Sequence, residues 1–337
     1  MPRCLSGAGR GQGADVTDVL AGCAALTADP RVAAVERRLR APVSVAVRGR
    51  AGVGRDAVAA ALAAAGVAVA DESDAEVDIV VLAERLTDEE RSVLERRSIP
   101  TLVVLNKADL GGAGAGGPLA AADRAAAALS ALLGLPVVPM VALLAAVDLR
   151  DDDLATLHAV IAAPVDMTSV DAVVTGPHPV PEGVRRDLLD RLDRFGLAHA
   201  VLAAADGLDA AAVTARLRAL SGTDAVLAAL SAVTAPVRYA RISAALRALR
   251  VLAAATSDER LAAFLDGDDV VLAVMTAAVD VVEATGASVD RADDAGAHLR
   301  RALRWRAYAR APLDALHRRC AADIVRGSLR LLEACGD

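Results

Sequence analysis

Along this chain of 337 residues the apolar positions change period several times, and each change marks an element. Residues 16–40 carry helical spacing (Val16, Leu20, Cys23, Leu26, then Val32, Val35, Leu39), interrupted at Pro30. From residue 41 the period falls to two. P-V-S-V-A-V-R alternates as a strand, runs into G-R-A-G-V-G-R-D, and gives way to a helix over 57–65 closed by Gly66. Further strands are expected at 67–71, 77–83, 101–106 and 137–141, with helices at 86–97 (Thr87 as N-cap), 119–133 and 152–162. Strands that alternate with helices predict an α/β domain with a parallel sheet covered on both faces.

Pro164, Pro177, Pro179 and Pro181 then mark a linker. Beyond it the stripes are helical: Val184, Leu188, Leu192 and Phe195, then Val213, Leu217 and Leu220, then Ile242, Leu246 and Leu249. The stretch L-A-H-A-V-L-A-A-A-D (197–206) also fits a strand, and breaks fall near Gly267, Gly286 and Pro312. The division expected is a flexible lead-in over 1–15, a helical segment over 16–40 and an α/β domain over 41–163. A Pro-rich linker over 164–183 and an all-α domain over 184–337 follow.

Composition narrows the function classes. A hydrophobic fraction of 55% with 24% charged residues is that of a soluble globular chain. Aromatic residues make up 1%, which leaves no stacking platform for bases, and the net charge of -7 opposes a global footprint for DNA; no nucleic-acid partner is expected. Cys4, Cys23, Cys320 and Cys335 show no metal-ligand spacing, so free thiols of a cytoplasmic protein are expected. His158, His178, His199, His298 and His317 form no catalytic constellation. The uncharged run from Ala125 to Val147 has Gly134, Pro136 and Pro139 at its centre, which predicts a helix end, a turn, a short buried strand and a loop rather than a membrane span.

The chemistry concentrates in two loops. Gly49-Arg50-Ala51-Gly52-Val53-Gly54-Arg55-Asp56 sits between a strand and a helix, where a Gly-rich loop can wrap phosphates with backbone N–H groups. Downstream, V-L-N-K-A-D-L (104–110) holds the only asparagine and the only lysine of the chain, side by side after an apolar strand.

Together with P-V-V-P-M-V-A-L (136–143), these stretches make residues 42–163 resemble a P-loop GTPase of the translation-factor or bacterial dynamin-like class, of actinobacterial type. The resemblance implies a truncated three-layer G domain followed by a helical bundle. It implies that Gly49, Gly52, Gly54, Arg55 and Asp56 face phosphates and that Asp109 selects guanine by accepting from its ring N–H and exocyclic amine. Lys107 would lie over the base, Asn106 would tie loops together, and Ala142 would stand in the last nucleotide-binding motif, whose serine is replaced by Val141. Charge-assisted bonds of about 1.5–3 kcal/mol each make such selection large.

The chain departs from that pattern where hydrolysis would need it intact. Arg55 stands at the phosphate-binding lysine and Asp56 at the magnesium-ligating hydroxyl. About twenty residues separate Asp56 from the strand at Val77, too few for a switch loop, and Asp71-Glu72-Ser73-Asp74 lacks the glycine of the D-x-x-G motif. A carboxylate about 4 Å from a phosphate costs roughly 4 kcal/mol at an effective dielectric near 20, about a thousandfold in affinity. The expectation is weak GTP or GDP binding at most, negligible hydrolysis, and no metal site unless Asp71 serves an active enzyme. Two alternatives stay open: an active GTPase using Arg55 for phosphate, and a nucleotide-free scaffold in which Arg48, Arg50 and Arg55 bridge to Asp71, Glu72 and Asp74. The first reading makes the chain a partner of a second, intact GTPase-like protein.

In the helical part, S-G-T-D-A-V-L-A-A-L (221–230) and R-Y-A-R-I-S-A-A-L-R-A-L (238–249) are similar, more loosely, to the passage into the helical bundle of dynamin-like GTPases. The nearly acid-free stretch 299–310 carries Arg300, Arg301, Arg304, Arg306 and Arg310 spread around the helix, with Trp305 and Tyr308 one turn apart. It reads as a bundle helix whose arginines pair with Asp290, Asp293, Asp294 and Asp323, or as a helix that meets a membrane surface.

Overall fold

The computed structural model describes residues 18–19, 27, 29–112 and 114–336. The lead-in over 1–15 and most of 16–29 lie outside the described residues. The chain divides into two compact units, Ser44–Leu230 and a second one formed by Met1–Val43 with Ser231–Asp337.

The first unit is α/β. Strands β1 (Val45–Arg48), β2 (Val77–Ala83), β3 (Thr101–Asn106) and β4 (Val137–Met140) form one parallel sheet in the order β1-β2-β3-β4. Successive strand residues point to opposite faces, and every residue of β2 and β3 is buried, so both faces are covered. Helices α2 (Arg55–Ala64), α3 (Asp88–Glu95) and α4 (Gly117–Leu133) fill the crossovers. On one face Val80, Leu82, Val103 and Leu105 pack with Leu94 of α3 and Ala126 of α4. Thr87 and Glu90 close a capping box at the start of α3.

The strand expected at 67–71 is reduced to one parallel bridge, Val45 to Val69. Val45 N–H donates to Ala68 O and its carbonyl accepts from Ala70 N–H, both at 2.9 Å, while Ser44 O accepts from Glu76 and Val77. Neighbouring residues of a strand bond to opposite sides, so Val69 lies on the far side of β1 from β2.

The run Ala125–Val147 ends α4 at Gly134 in a left-handed turn, forms β4, and continues into α5 (Ala142–Ala145). Four more helices complete this unit: α6 (Asp151–Ala162), α7 (Val170–Thr175), α8 (Glu182–Ala205) and α9 (Ala210–Leu220). The proline-marked linker is therefore partly helical. Arg185, 5% exposed, donates to the carbonyls of Val173, Gly176 and Val180 and so ties α7 to α8. The division falls at Leu230/Ser231 rather than at 164–183, because α7–α9 share a core with Ala108, Ala122, Val141 and Leu144 of the segments that follow β3 and β4. The strand expected at 197–206 is the end of α8. Leu197, Ala200, Ala203 and Ala204 are its buried residues, a helical spacing that the alanine-rich stretch masks.

The second unit is all-helical, with α1 (Pro30–Arg40), most of α10 (Thr223–Thr256), α11 (Glu259–Leu265), α12 (Asp268–Ala284), α13 (Ala295–Tyr308) and α14 (Ala315–Ala334). Val32, Tyr239, Leu246, Val281, Trp305 and Ile324 belong to one core, with Val35 and Leu39 packed against it. The Arg241 guanidinium donates to Ala41 O at 2.6 Å. Arg301 turns inward, donating to Ser328 Oγ and to the carbonyls of Asp290 and Ala292, while Arg300, Arg304, Arg306 and Arg310 stay exposed. Among the described residues the expected pairing with aspartates is a 4.0 Å approach of Arg300 to Asp290; Asp323 binds Tyr239 and Arg326 instead. Trp305 and Tyr308 meet edge to face, centroids 4.9 Å apart. Burial pushes the Cys320 thiol up to about 12, which leaves it unreactive at neutral pH. Helix α10 is long and apolar enough to cross a membrane by length and composition, with 33% of its most apolar window buried.

Helix α8 seats closely on α5. A Cβ at Gly196 would stand 2.6 Å from Leu144 Cδ2. Gly196→Ala is expected to destabilise the protein by about 1–3 kcal/mol, read as a lower urea midpoint with an unchanged m-value.

Candidate functional site

The chain leaves β1, steps to Val69 on one side, and returns to β2 on the other, so the winding direction reverses at β1. In open α/β sheets ligands bind outside the carboxyl ends of the strands at such a reversal. The glycine-rich loop emerges there.

Its glycines are demanded by close approach and by backbone angle. A Cβ on Gly49 would lie 2.9 Å from Val81 O, so only glycine lets the loop cross the end of β2. Gly54, with φ of 83°, is the N-cap of α2, and a Cβ there would collide with the Asn106 side chain. Gly52 is also left-handed, at the open tip of the loop. Helix α2 starts at Arg55 and its first turn bonds Val58 N–H to Gly54 O, which leaves the N–H groups of Arg55, Asp56 and Ala57 without a helical acceptor.

Asn106 joins this loop to two others. The last residue of β3 and only 4% exposed, it donates from Nδ2 to Val53 O at 2.9 Å and accepts at Oδ1 from Ala142 N–H at 3.0 Å. Lys107 follows in the left-handed region (φ 60°), exposed, and turns the chain into a single 3-10 turn, Ala108–Leu110, that carries Asp109 half-buried. Burial holds the Asp109 carboxyl above the ordinary carboxylate value; its own backbone N–H and Lys107 oppose this, and Asp193 reinforces it. Gly49, Gly54, Asn106, Asp109 and Ala142 thus lie at or just beyond the carboxyl ends of the strands. Ala108, Leu119, Met140, Val141 and Ser221 line a recess of about 190 Å³ behind the Asp109 turn, smaller than ligand pockets of about 300–1,000 Å³.

The arginines divide differently from the expected bridging. Arg48 pairs with Glu72, as expected, and also with Asp78 at 2.7 Å. Arg50 reaches Glu90 at 3.2 Å because that carboxylate is fixed in the α3 capping box, and Arg55 pairs with its neighbour Asp56 at 2.9 Å. The Asp56 side chain is 87% exposed, so its repulsion toward a phosphate falls toward about 1 kcal/mol at 4 Å in bulk water. Asp71 opens a turn, its carbonyl accepting from Asp74 N–H, and no group of three or more His, Cys, Asp or Glu that could hold a metal occurs among the described residues.

Sequence reasoning missed three contributors. Asp78, 3% exposed, binds both Arg48 and Arg97, and its signal was an acid inside an apolar strand. The Val53 carbonyl carried no signal. Asp193 breaks α8 with φ 53° and ψ 177°, a region costing about 1–3 kcal/mol for a residue other than glycine, and nothing in L-D-R-F-G announces it.

No family model, curated protein or solved structure matches this chain.

Asn106→Ala removes both partners of this junction and leaves the buried Ala142 N–H unpaired; a loss of about 2–4 kcal/mol in denaturant unfolding is expected. Asp109 gives a prediction of opposite sign. Its carboxyl is raised in the folded state, so its favourable contribution is present below the ordinary value of 3.8 and lost as pH rises through the folded value. Asp109→Asn should therefore raise the thermal midpoint at pH 7 and leave it unchanged near pH 3.

Proposed function

We propose that this chain is a degenerate GTPase-like protein that binds guanine nucleotide weakly, hydrolyses it negligibly, and serves as partner or regulator of an intact GTPase. The observation that carries the reading is the Asn106 junction, because one buried amide holds the glycine loop and the Ala142 turn beside the turn bearing Asp109. The loop then acts as a P-loop, with the free N–H groups at the start of α2 and the exposed Arg50 and Arg55 toward phosphate. Asp109 and Lys107 take the base. Asp56, paired with Arg55 and standing where a hydroxyl would bind magnesium, supplies neither metal nor water positioning, and without these phosphoryl transfer has no route. A chain that offers a nucleotide face without turnover suits pairing with a catalytically complete relative in the cytoplasm or at the membrane periphery.

A second reading, a nucleotide-free scaffold, is favoured by specific pairings. Arg48, Arg50 and Arg55 each have an internal carboxylate, and burial with Asp193 disfavours the ionised Asp109 that a guanine edge needs. Titration of the full chain with a fluorescent GDP analogue separates the two. Saturable binding that is indifferent to magnesium, weakened at least tenfold by Asp109→Asn and weakened on acidification, supports the nucleotide reading. No binding at millimolar nucleotide leaves the scaffold. Phosphate release from GTP that disappears with Asp109→Asn overturns both in favour of an active enzyme.

A further inference from the structure

The helical unit contains a cavity that the nucleotide reading does not use. It measures about 290 Å³ and opens between α10, α11, α12 and α14. Its floor is apolar: Leu246, Leu265, Val270, Val271 and Val274 line it, each no more than 8% exposed. Its rim is cationic, with Arg247 and Arg250 from α10 and Arg319 and Arg326 from α14.

Two carboxylates face these four guanidinium groups and offset two of them. Asp323 accepts from Tyr239 Oη at 2.5 Å and stands 3.7 Å from Arg326. Asp266, with a side chain 77% exposed, stands 3.8 Å from Arg250. Arg247 and Arg319 have no ion pair among the described residues. In a chain of net charge -7, four guanidinium groups gather at the mouth of one apolar recess against two carboxylates, of which Asp323 itself lines the cavity, so an excess of positive charge at Arg247 and Arg319 is left for an anion to meet. Guanidinium forks suit phosphate or carboxylate oxygens, and the floor beneath suits only hydrocarbon. A hydrated inorganic ion would leave that floor unfilled.

We propose that this cavity binds an anionic amphiphile, a single phosphate or carboxylate head held by Arg247, Arg250, Arg319 and Arg326 over a short apolar tail buried against Leu265, Val270 and Val271. The volume lies at the lower limit for ligand pockets, so one chain segment fills it.

The test is calorimetric titration of the full chain with hexyl, octyl and decyl phosphate below their micelle concentrations, beside inorganic phosphate and decyl maltoside. One-to-one binding is expected, strengthening about fourfold for each added methylene until the cavity is full. Arg247→Gln and Arg319→Gln, both exposed and thus safe for folding, should each weaken decyl phosphate about tenfold. Vesicles of phosphatidylglycerol and of phosphatidylcholine distinguish the source. Binding to the anionic vesicles that both substitutions abolish assigns a membrane phospholipid, whereas binding of dispersed alkyl phosphate alone assigns a free amphiphile. Equal affinity of the unaltered protein and both variants overturns the proposal. So does decyl maltoside binding as tightly as decyl phosphate, or inorganic phosphate binding as tightly as either.

Discussion

One buried carboxamide organises the loops at the strand ends of the α/β unit. Asn106 ends β3 almost fully out of water, where an unpaired amide would cost about 1–3 kcal/mol, and it meets that cost by bonding the Val53 carbonyl and the Ala142 N–H. Its donor and acceptor face opposite ways, which no apolar residue and no carboxylate reproduces. One glycine of the loop follows from it, and another from the sheet. Gly54 must be glycine because the Asn106 side chain occupies the space a Cβ would take, and Gly49 because the same loop crosses the end of β2. The α7–α9 layer then packs on the Ala108 and Val141 turns that Asn106 brings together.

That junction explains which residues of the edge are fixed by packing and which are not. Asn106, Gly49, Gly54 and the sheet form a self-consistent framework in which each residue has a packing reason. The exposed positions of the loop are free of that constraint. Arg55 and Asp56 are exposed and paired with each other, and the turn after Val69 is short. The fold tolerates substitution at Arg55 and Asp56 because nothing in the core depends on them.

Much of the architecture was legible because the apolar pattern is unambiguous where strands are buried on both faces. The strands at 77–83 and 101–106 fall where V-D-I-V-V-L-A and T-L-V-V-L-N place them. Asn106 and Lys107 stood out as the only residues of their kind in the chain. What escaped the sequence has physical causes. Alanine fills both faces of α8, so the 197–206 stretch fits either period. The break at Asp193 has no proline or glycine at the residue itself to announce it. The prolines at 164–181 bound α7 without separating two units, because Arg185 binds the chain back to α8 through three carbonyls.

The central claim is that Asn106 holds the glycine loop and the Ala142 turn as one rigid edge. Amide hydrogen exchange at Ala142 tests it most directly, since that N–H has a side-chain oxygen as its acceptor. The account predicts exchange as slow as that of the β2–β3 amides in the unaltered protein, and fast exchange at Ala142 alone in Asn106→Ala. Rapid exchange at Ala142 in the unaltered protein, at the rate of an exposed loop, would contradict it.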